Sequence, residues 1–486
     1  MQPMNFEFAQ KLAHGFNTVP LYESADAGGL TPSHVFNVLR GLSRHCFILE
    51  SAERSGGDGR YTFIGYDPKL ELTCSDGNLL IRSGADFSAT TDDPGESIRR
   101  VLEDNRGPRL DFLPPFTGGL VGYFSYEYVR YSEPKLRLSG GDDENFKDVD
   151  LMLFDKVIAF DRLEGTILLI VNIRTDALEE NYARGRQTLL DLKRVVFEGA
   201  AVTPAPLRLT SEFRPLFGEA RYCEMVELAK QRIREGDIFQ VVLSNRWDAD
   251  AEGSLFGTYE ILRESNPSPY MFYFSSDDVE IAGSAPETLV RLRGETVTTF
   301  PLAGTRPRGA TADEDERLAD ELLRDPKELA EHNMLVDLGR NDIGKIAQFG
   351  SVSVDEYRTI ERFSHVMHIG STVTGTIREG VGGIGAIDAL LPAGTLSGAP
   401  KFKACEIISE LECGRRGIYG GAIGYLGLSG EMDTCIAIRI AFKKNGRVFI
   451  RSGAGIVADS VAETEFRECS NKLQAVKLAL EKAGAR

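Results

Sequence analysis

Arg451–Lys472 reads RSGAGIVADSVAETEFRECSNK. An apolar run leads into Gly453-Ala454-Gly455, so the spacing predicts a strand end opening into a small-residue loop. A loop of that kind leaves backbone N–H groups bare, ready to bind a carboxylate or phosphate. Ser460, with Glu463 three residues on, predicts a capping box and the start of a helix. On that helix Glu465, Glu468 and Lys472 share one face, beside an apolar row of Cys469, Leu473, Val476 and Leu480. An anion-binding loop and a carboxylate pair within one turn and helix suit an anionic ligand held through a metal. The plainer alternative is a solvated acidic helix face.

Upstream, the sequence predicts a hairpin of Asp433–Phe442 against Arg447–Ser452, turning at Asn445-Gly446. A two-residue turn sets Arg439 opposite Ser452. Arg439 then shares a strand face with Cys435, Ala437 and Ala441, while Ile436, Ile438 and Ile440 take the other. An arginine over small neighbours has room to grip a carboxylate through both nitrogens, unless it is an edge arginine paired with a surface acid.

A second acidic helix is expected from Asp325-Pro326-Lys327-Glu328, with Asp325 as N-cap, Pro326 at N1 and Glu328 closing the cap, and Gly339 as its stop. Glu331 shares a stripe with Leu335 and Leu338. A carboxylate in line with buried leucines needs a partner or a metal. Facing Glu-x-x-Glu pairs offer only hard oxygen ligands, which points to Mg²⁺. His365 and His368, in FSHVMH, are candidate bases or hydrogen-bonded core residues. Thr395 and Ser397 lie in LPAGTLSGAPK, a rigid loop before a helix.

The rest of the chain bounds these expectations. Its 486 residues carry a formal charge of −17, from 56 basic and 73 acidic side chains. So acidic a surface disfavours nucleic acid and anionic membranes. No apolar run reaches membrane-spanning length, and the N-terminus lacks a signal pattern. Seven scattered cysteines without a C-x-x-C fit a cytoplasmic protein without a disulfide framework. Short β-rich runs (Cys46–Leu49, Tyr61–Tyr66, Gly118–Tyr126, Ile167–Asn172) fill the first 200 residues, and the unpatterned Gly199–Ser211 marks a boundary. Two domains are expected, 1–205 and 213–486. An amphipathic helix from Glu219 to near Gly236 through Met225, Leu228, Ala229 and Ile233 opens the second, followed by a strand at Ile238–Leu243.

Taken together, PLAGTRPRG (301–309), AEHNMLVDLGRND (330–342), SHVMH (364–368), GTLSGAPK (394–401), YGGAIGY (419–425), DTCIAIR (433–439) and GAGIVADS (453–460) resemble the chorismate-utilising enzymes, and within them the large subunit of anthranilate synthase. FILESAE (47–53) resembles the family's N-terminal domain more diffusely. The resemblance implies an α+β fold of two large, mostly antiparallel sheets packed as a sandwich with helices outside. It implies Mg²⁺ on Glu331 and Glu468, with Glu328 and Glu465 as an outer pair. Chorismate contacts fall on Gly304, Thr305, Tyr425, Arg439, the backbone of Gly453, Ala454 and Gly455, and Lys472. Glu287 matches the general acid, and Thr395 and His368 match active-site positions. Gln240 stands where water-adding relatives carry a lysine base, and Ala303 where aminodeoxychorismate synthases commonly carry lysine. Both departures favour attack by ammonia and release of anthranilate and pyruvate. With no G-x-C-x-G elbow in the chain, the ammonia is expected from a glutamine amidotransferase subunit, in a heterotetramer. Glu50, Ser51 and Ala52, with Asn266–Met271 including Pro269, Tyr270 and Met271, match elements that bind L-tryptophan as inhibitor. Aminodeoxychorismate synthase component I and a non-catalytic sensor of chorismate or tryptophan are the competing expectations.

Overall fold

The computed structural model describes residues 4–51, 59–138, 140–141, 144–363 and 366–484. Ala52 and His365 lie outside them. Two large sheets dominate, and every pairing between their strands is antiparallel among the described residues. The 13-stranded sheet runs Thr18–Asp26, Thr166–Arg174, Lys156–Asp161, Tyr61–Tyr66, Cys46–Glu50, Tyr270–Ser275, Glu280–Ala285, Ile440–Lys444, Arg447–Ile456, Gln240–Glu252, Arg208–Leu209, with Arg214–Pro215 and Gly398–Ala399 also paired to Gln240–Glu252. The 12-stranded sheet runs Leu302–Pro307, Val366–Thr376, Thr296–Thr299, Thr288–Arg293, Met432–Ile436, Ala422–Gly427, Gly119–Phe124, Val149–Phe154, Leu70–Ser75, Asn78–Ser83, Ala85–Thr90, with Ser353–Arg362 also paired to Val366–Thr376.

The sheets pack face to face because their strands alternate buried apolar side chains. Phe47 meets Phe154 at 4.7 Å between ring centres, and Phe116 meets Tyr425 at 4.5 Å. Helices Glu219–Arg234 and Lys401–Glu412 cover the outer face of the larger sheet through Met225, Ala229, Ile407 and Ile408. Leu228, expected on that buried face, is exposed. Helices Gly382–Leu390 and Pro326–Gly344 cover the smaller sheet.

The stretch between 205 and 213 follows the helix Leu178–Glu198 and contains the edge strand Arg208–Leu209. Both sheets draw strands from both halves. Glu50 pairs with Met271 in one, and Gly122 with Gly424 in the other.

Candidate active site

Three local expectations change in the fold. Gly453-Ala454-Gly455 is strand, not loop: it ends Arg447–Ile456 and pairs with Ser244, Leu243 and Val242. The small residues answer to close approach instead. A Cβ on Gly453 would lie 2.8 Å from the Leu243 carbonyl oxygen and 3.2 Å from the Tyr419 hydroxyl, and one on Gly455 2.5 Å from Gln240 Nε2. The capping box does not form. The helix begins at Ala462 after an N-cap Val461 that has no side-chain bond, while Ser460 Oγ accepts from the Val457 N–H. The long strand Asp433–Phe442 is broken in two. Met432–Ile436 belongs to the smaller sheet and Ile440–Lys444 to the larger, and Arg439 lies at the crossing with φ +55°. The hairpin register is as expected, with Lys444 opposite Arg447, but pairing stops at Ala441–Ile450. Arg439 is therefore freed from the ladder. Its guanidinium donates to the Lys472 carbonyl.

The other acidic helix begins as expected. Asp325 caps it, accepting from the Lys327 and Glu328 N–H groups. Glu328 does not close a capping box, because the Asp325 N–H already bonds the Leu322 carbonyl. Its carboxylate lies 3.4 Å from Arg306 instead. Nor does Gly339 end the helix, which runs to Gly344; the missing side chain makes room for Pro301 and Thr299. The neighbouring His332, unnoticed in the sequence, anchors this helix to strand Val366–Thr376 through Ser371 at 2.7 Å. Burial lowers its pKa to about 4.

Five of the expected groups cluster around Lys472 and Arg439. Lys472 Nζ lies 2.7 Å from Glu468 and donates to the Gly453 carbonyl at 3.1 Å. Its charge also reaches Glu287, Glu331, His368 and Glu465. Burial pushes the Glu287 carboxyl up, opposed by a 3.0 Å hydrogen bond from Thr395 Oγ1 and by the charges of Lys472 and Arg439. Burial lowers the His368 pKa, with Arg439 and Lys472 adding to the effect. His368 Nδ1 lies 2.7 Å from the Gly304 carbonyl and 3.2 Å from Thr305 Oγ1. A carbonyl only accepts, so Nδ1 carries the hydrogen and Nε2 keeps its lone pair. Gly304, at φ +68°, presents that carbonyl from a conformation few side chains tolerate.

The donor set fits a hard divalent cation. Burial raises Glu331 and Glu465, and each is raised further by a neighbouring carboxylate, Glu328 and Glu468 respectively. Two ammoniums, Lys327 and Lys472, oppose that rise in both pairs. Ligands here are oxygens alone, the chemistry of Mg²⁺. Among the described residues the one cluster of three ligand atoms within 4.8 Å is elsewhere, at His45, Glu71 and Asp277. Arg82 bridges Glu71 and Asp277 at 2.9 and 3.0 Å, so that cluster is an ion-pair network supplied with its own cation.

Gln240 is buried, and its side chain hydrogen-bonds the Glu331 carboxylate. Tyr425 is not with this group. It points between the sheets, packed on Phe116 and Phe63. Tyr419, six residues earlier in the same YGGAIGY run, is the tyrosine beside Gly453 and Arg439. Two tyrosines in one glycine-rich run look equivalent in sequence; the tight turn at Gly420-Gly421 sends them to different places.

Tyr425 instead lines a second cavity of about 210 Å³ together with Glu50, Ser51, Pro269, Tyr270 and Met271. Its hydroxyl is buried without a partner. Glu50 accepts from Tyr259 and Arg162, and Tyr270 donates to Asp433 at 2.7 Å.

The model of the chorismate binding enzyme family matches residues 45–477. The chain is 42% identical to anthranilate synthase component 1 of Acinetobacter calcoaceticus, covering 98% of this chain and 97% of that one. It is 44% identical to the component 1 of Methanothermobacter marburgensis over 93% of each. Anthranilate synthase component I from Streptococcus pneumoniae superposes with a TM-score of 0.75 at 34% identity, over 93% of this chain and 99% of that chain. The menaquinone-specific isochorismate synthase MenF of Escherichia coli shares the fold, with a TM-score of 0.70 at 18% identity over 98% of both chains. By sequence over nearly its whole length and by fold, the chain belongs to the chorismate binding enzymes and groups with the anthranilate synthase component 1 proteins.

Proposed function

We propose that the chain converts chorismate and ammonia to anthranilate and pyruvate in tryptophan biosynthesis, in the cytoplasm. In this reading it needs Mg²⁺, takes its ammonia from a glutamine amidotransferase subunit within a heterotetramer, and is inhibited by L-tryptophan. The observation that carries the choice of nucleophile is Gln240. Its amide is neutral and committed to Glu331, so it cannot deprotonate a water. Ammonia needs no base, because its lone pair attacks directly.

Glu331 and Glu468 would hold Mg²⁺, which supplies charge stabilisation to a bound carboxylate. Arg439 and Lys472 would bind the substrate's other carboxylate, and Tyr419 rather than Tyr425 lies beside Arg439. Glu287, kept toward its protonated form by burial, gives its proton to the C4 hydroxyl as ammonia bonds to C2 and the double bonds shift. Water leaves. The amino intermediate then loses its C2 proton and the enolpyruvyl group, which departs as pyruvate. His368 Nε2, neutral and unprotonated, is the group suited to accept that proton. Thr305 and Gly304 hold its ring.

The purified chain, given chorismate, ammonium and Mg²⁺, is expected to release fluorescent anthranilate and pyruvate in equal amounts. Glutamine should replace ammonium only when an amidotransferase subunit is added. An amino product without pyruvate would assign the chain to the aminodeoxychorismate branch. No turnover at all would leave a sensor.

A further inference from the structure

The five residues Ser284–Thr288, SAPET, carry Glu287 and are hydrogen-bonded at both ends to the segment that supplies Pro269 and Tyr270 to the inter-sheet cavity. Strand Glu280–Ala285 lies in the larger sheet and strand Thr288–Arg293 in the smaller, so the chain changes sheets within this run. The neighbouring chain changes sheets beside it, between Ile436 and Ile440. The two crossings are bonded together. Ser284 N–H donates to the Arg439 carbonyl at 3.2 Å, and Ile436 N–H to the Glu287 carbonyl at 2.9 Å. Each crossing carries one group of the reaction site, Glu287 or Arg439.

Two hydroxyls at the ends of the run face the opposite way, toward the loop that walls the cavity. Ser284 Oγ donates its one proton to the Asn266 carbonyl at 2.5 Å, lies 2.8 Å from Ser268 Oγ and accepts from Asn266 Nδ2 at 3.3 Å. Thr288 Oγ1 lies 2.7 Å from the Tyr270 hydroxyl. The single Tyr270 proton goes to Asp433 at 2.7 Å, so Thr288 must be the donor to Tyr270. The strand is irregular at that point, its register slipping between Thr288 and Val290. Irregular pairing of this kind lets a strand re-aim one residue without dragging the sheet.

We propose that Ser284 and Thr288 are positioning residues that couple occupancy of the inter-sheet cavity to the placement of Glu287 and Arg439. The proposal rests on the reading that the cavity takes L-tryptophan. A ligand that displaces Tyr270 or the Asn266–Ser268 turn moves the acceptors of these hydroxyls. The crossings follow, and the acid and the guanidinium leave their productive positions together. Shifts of about 1 Å suffice to cost rate on this scale. Inhibition would therefore act on the leaving-group acid and the carboxylate clamp, leaving the nucleophile's side of the site untouched.

The test compares Thr288→Val, Thr288→Ser and Ser284→Ala with the parent, using ammonium as nitrogen source. Calorimetry reads the affinity for L-tryptophan, and turnover reads the concentration that half-inhibits. Thr288→Val is expected to bind tryptophan within about threefold of the parent while its half-inhibitory concentration rises roughly tenfold, inside the usual range of coupling between sites. Thr288→Ser keeps the donor and should respond like the parent. Ser284→Ala should separate binding from inhibition in the same direction. If both donor-free variants are inhibited as strongly as the parent, or lose affinity and inhibition in equal proportion, the coupling role is wrong while the cavity reading stands. A parent that binds no tryptophan overturns the cavity reading, and this proposal with it.

Discussion

Glu287 shows what a single carboxyl gains from its surroundings. Burial raises its pKa and the Thr395 hydroxyl lowers it, so the two oppose each other on one proton. An acid must be protonated to act, and activity is therefore lost as pH rises through its folded-state pKa. Removing the Thr395 donor, in Thr395→Val, should move that alkaline limb of the rate profile to higher pH. Glu287→Gln should abolish the limb and lower turnover by ~10²–10⁴-fold. A limb that stays in place in Glu287→Gln would show that another group supplies the proton. No spacing in the sequence singles out Glu287; it was legible only through the family resemblance, which matches it to the general acid. Arg439, by contrast, was legible from its small neighbours, although its left-handed backbone was not.

At the scale of elements, the reacting strand is held by a buried charge cluster far less visible in sequence than the helix caps. Glu412, at the end of helix Lys401–Glu412, accepts from Arg416 at 2.6 Å, from Arg451 at 2.6 Å and from the Ser244 N–H at 2.7 Å. All three charged side chains are essentially inaccessible, at 1% or less. The cluster ties that helix to the strand that carries Gly453, through Arg451, and to the strand paired with it, through Ser244. Glu412→Ala would strand two guanidiniums without their counter-charge, a loss of about 3–5 kcal/mol. Urea or thermal unfolding should show a clearly lowered midpoint; an unchanged midpoint would mean that the arginines find other partners. The spacing of Glu412 and Arg416 suggests an ordinary i, i+4 surface pair. Only burial under the Glu219–Arg234 helix and against the larger sheet makes it costly to break.

For the molecule as a whole, two sheets shared by both halves of the chain create two sites of different character. One is a cluster of ionisable groups around Lys472 and Arg439. The other is an aromatic slot between the sheets, walled by Tyr425, Phe63 and Met271 with Glu50 at its edge. Ser51 lines that slot, and Ser51→Phe would fill part of it. Tryptophan inhibition should then weaken markedly while uninhibited turnover is retained, measured with ammonium and chorismate. Unchanged sensitivity to tryptophan would place the inhibitor elsewhere.

Local pattern by itself determined the pieces: the 325–328 helix start, the Asn445-Gly446 turn, the acidic rows Glu328/Glu331 and Glu465/Glu468, and the strands from Cys46 to Asn172. These depend on neighbours within a few residues, where turn chemistry and side-chain periodicity act directly. Tertiary structure alone decided which pieces meet. It turned Gly453–Gly455 from a loop into a paired strand, because Gln240–Glu252 lies alongside. It broke the run through Arg439, because the strand must pass from one sheet to the other. It also sent Tyr419 to the Arg439 cluster and Tyr425 to the cavity between the sheets. Contacts between residues far apart in sequence set all three outcomes, and periodicity within a short window carries no record of such contacts.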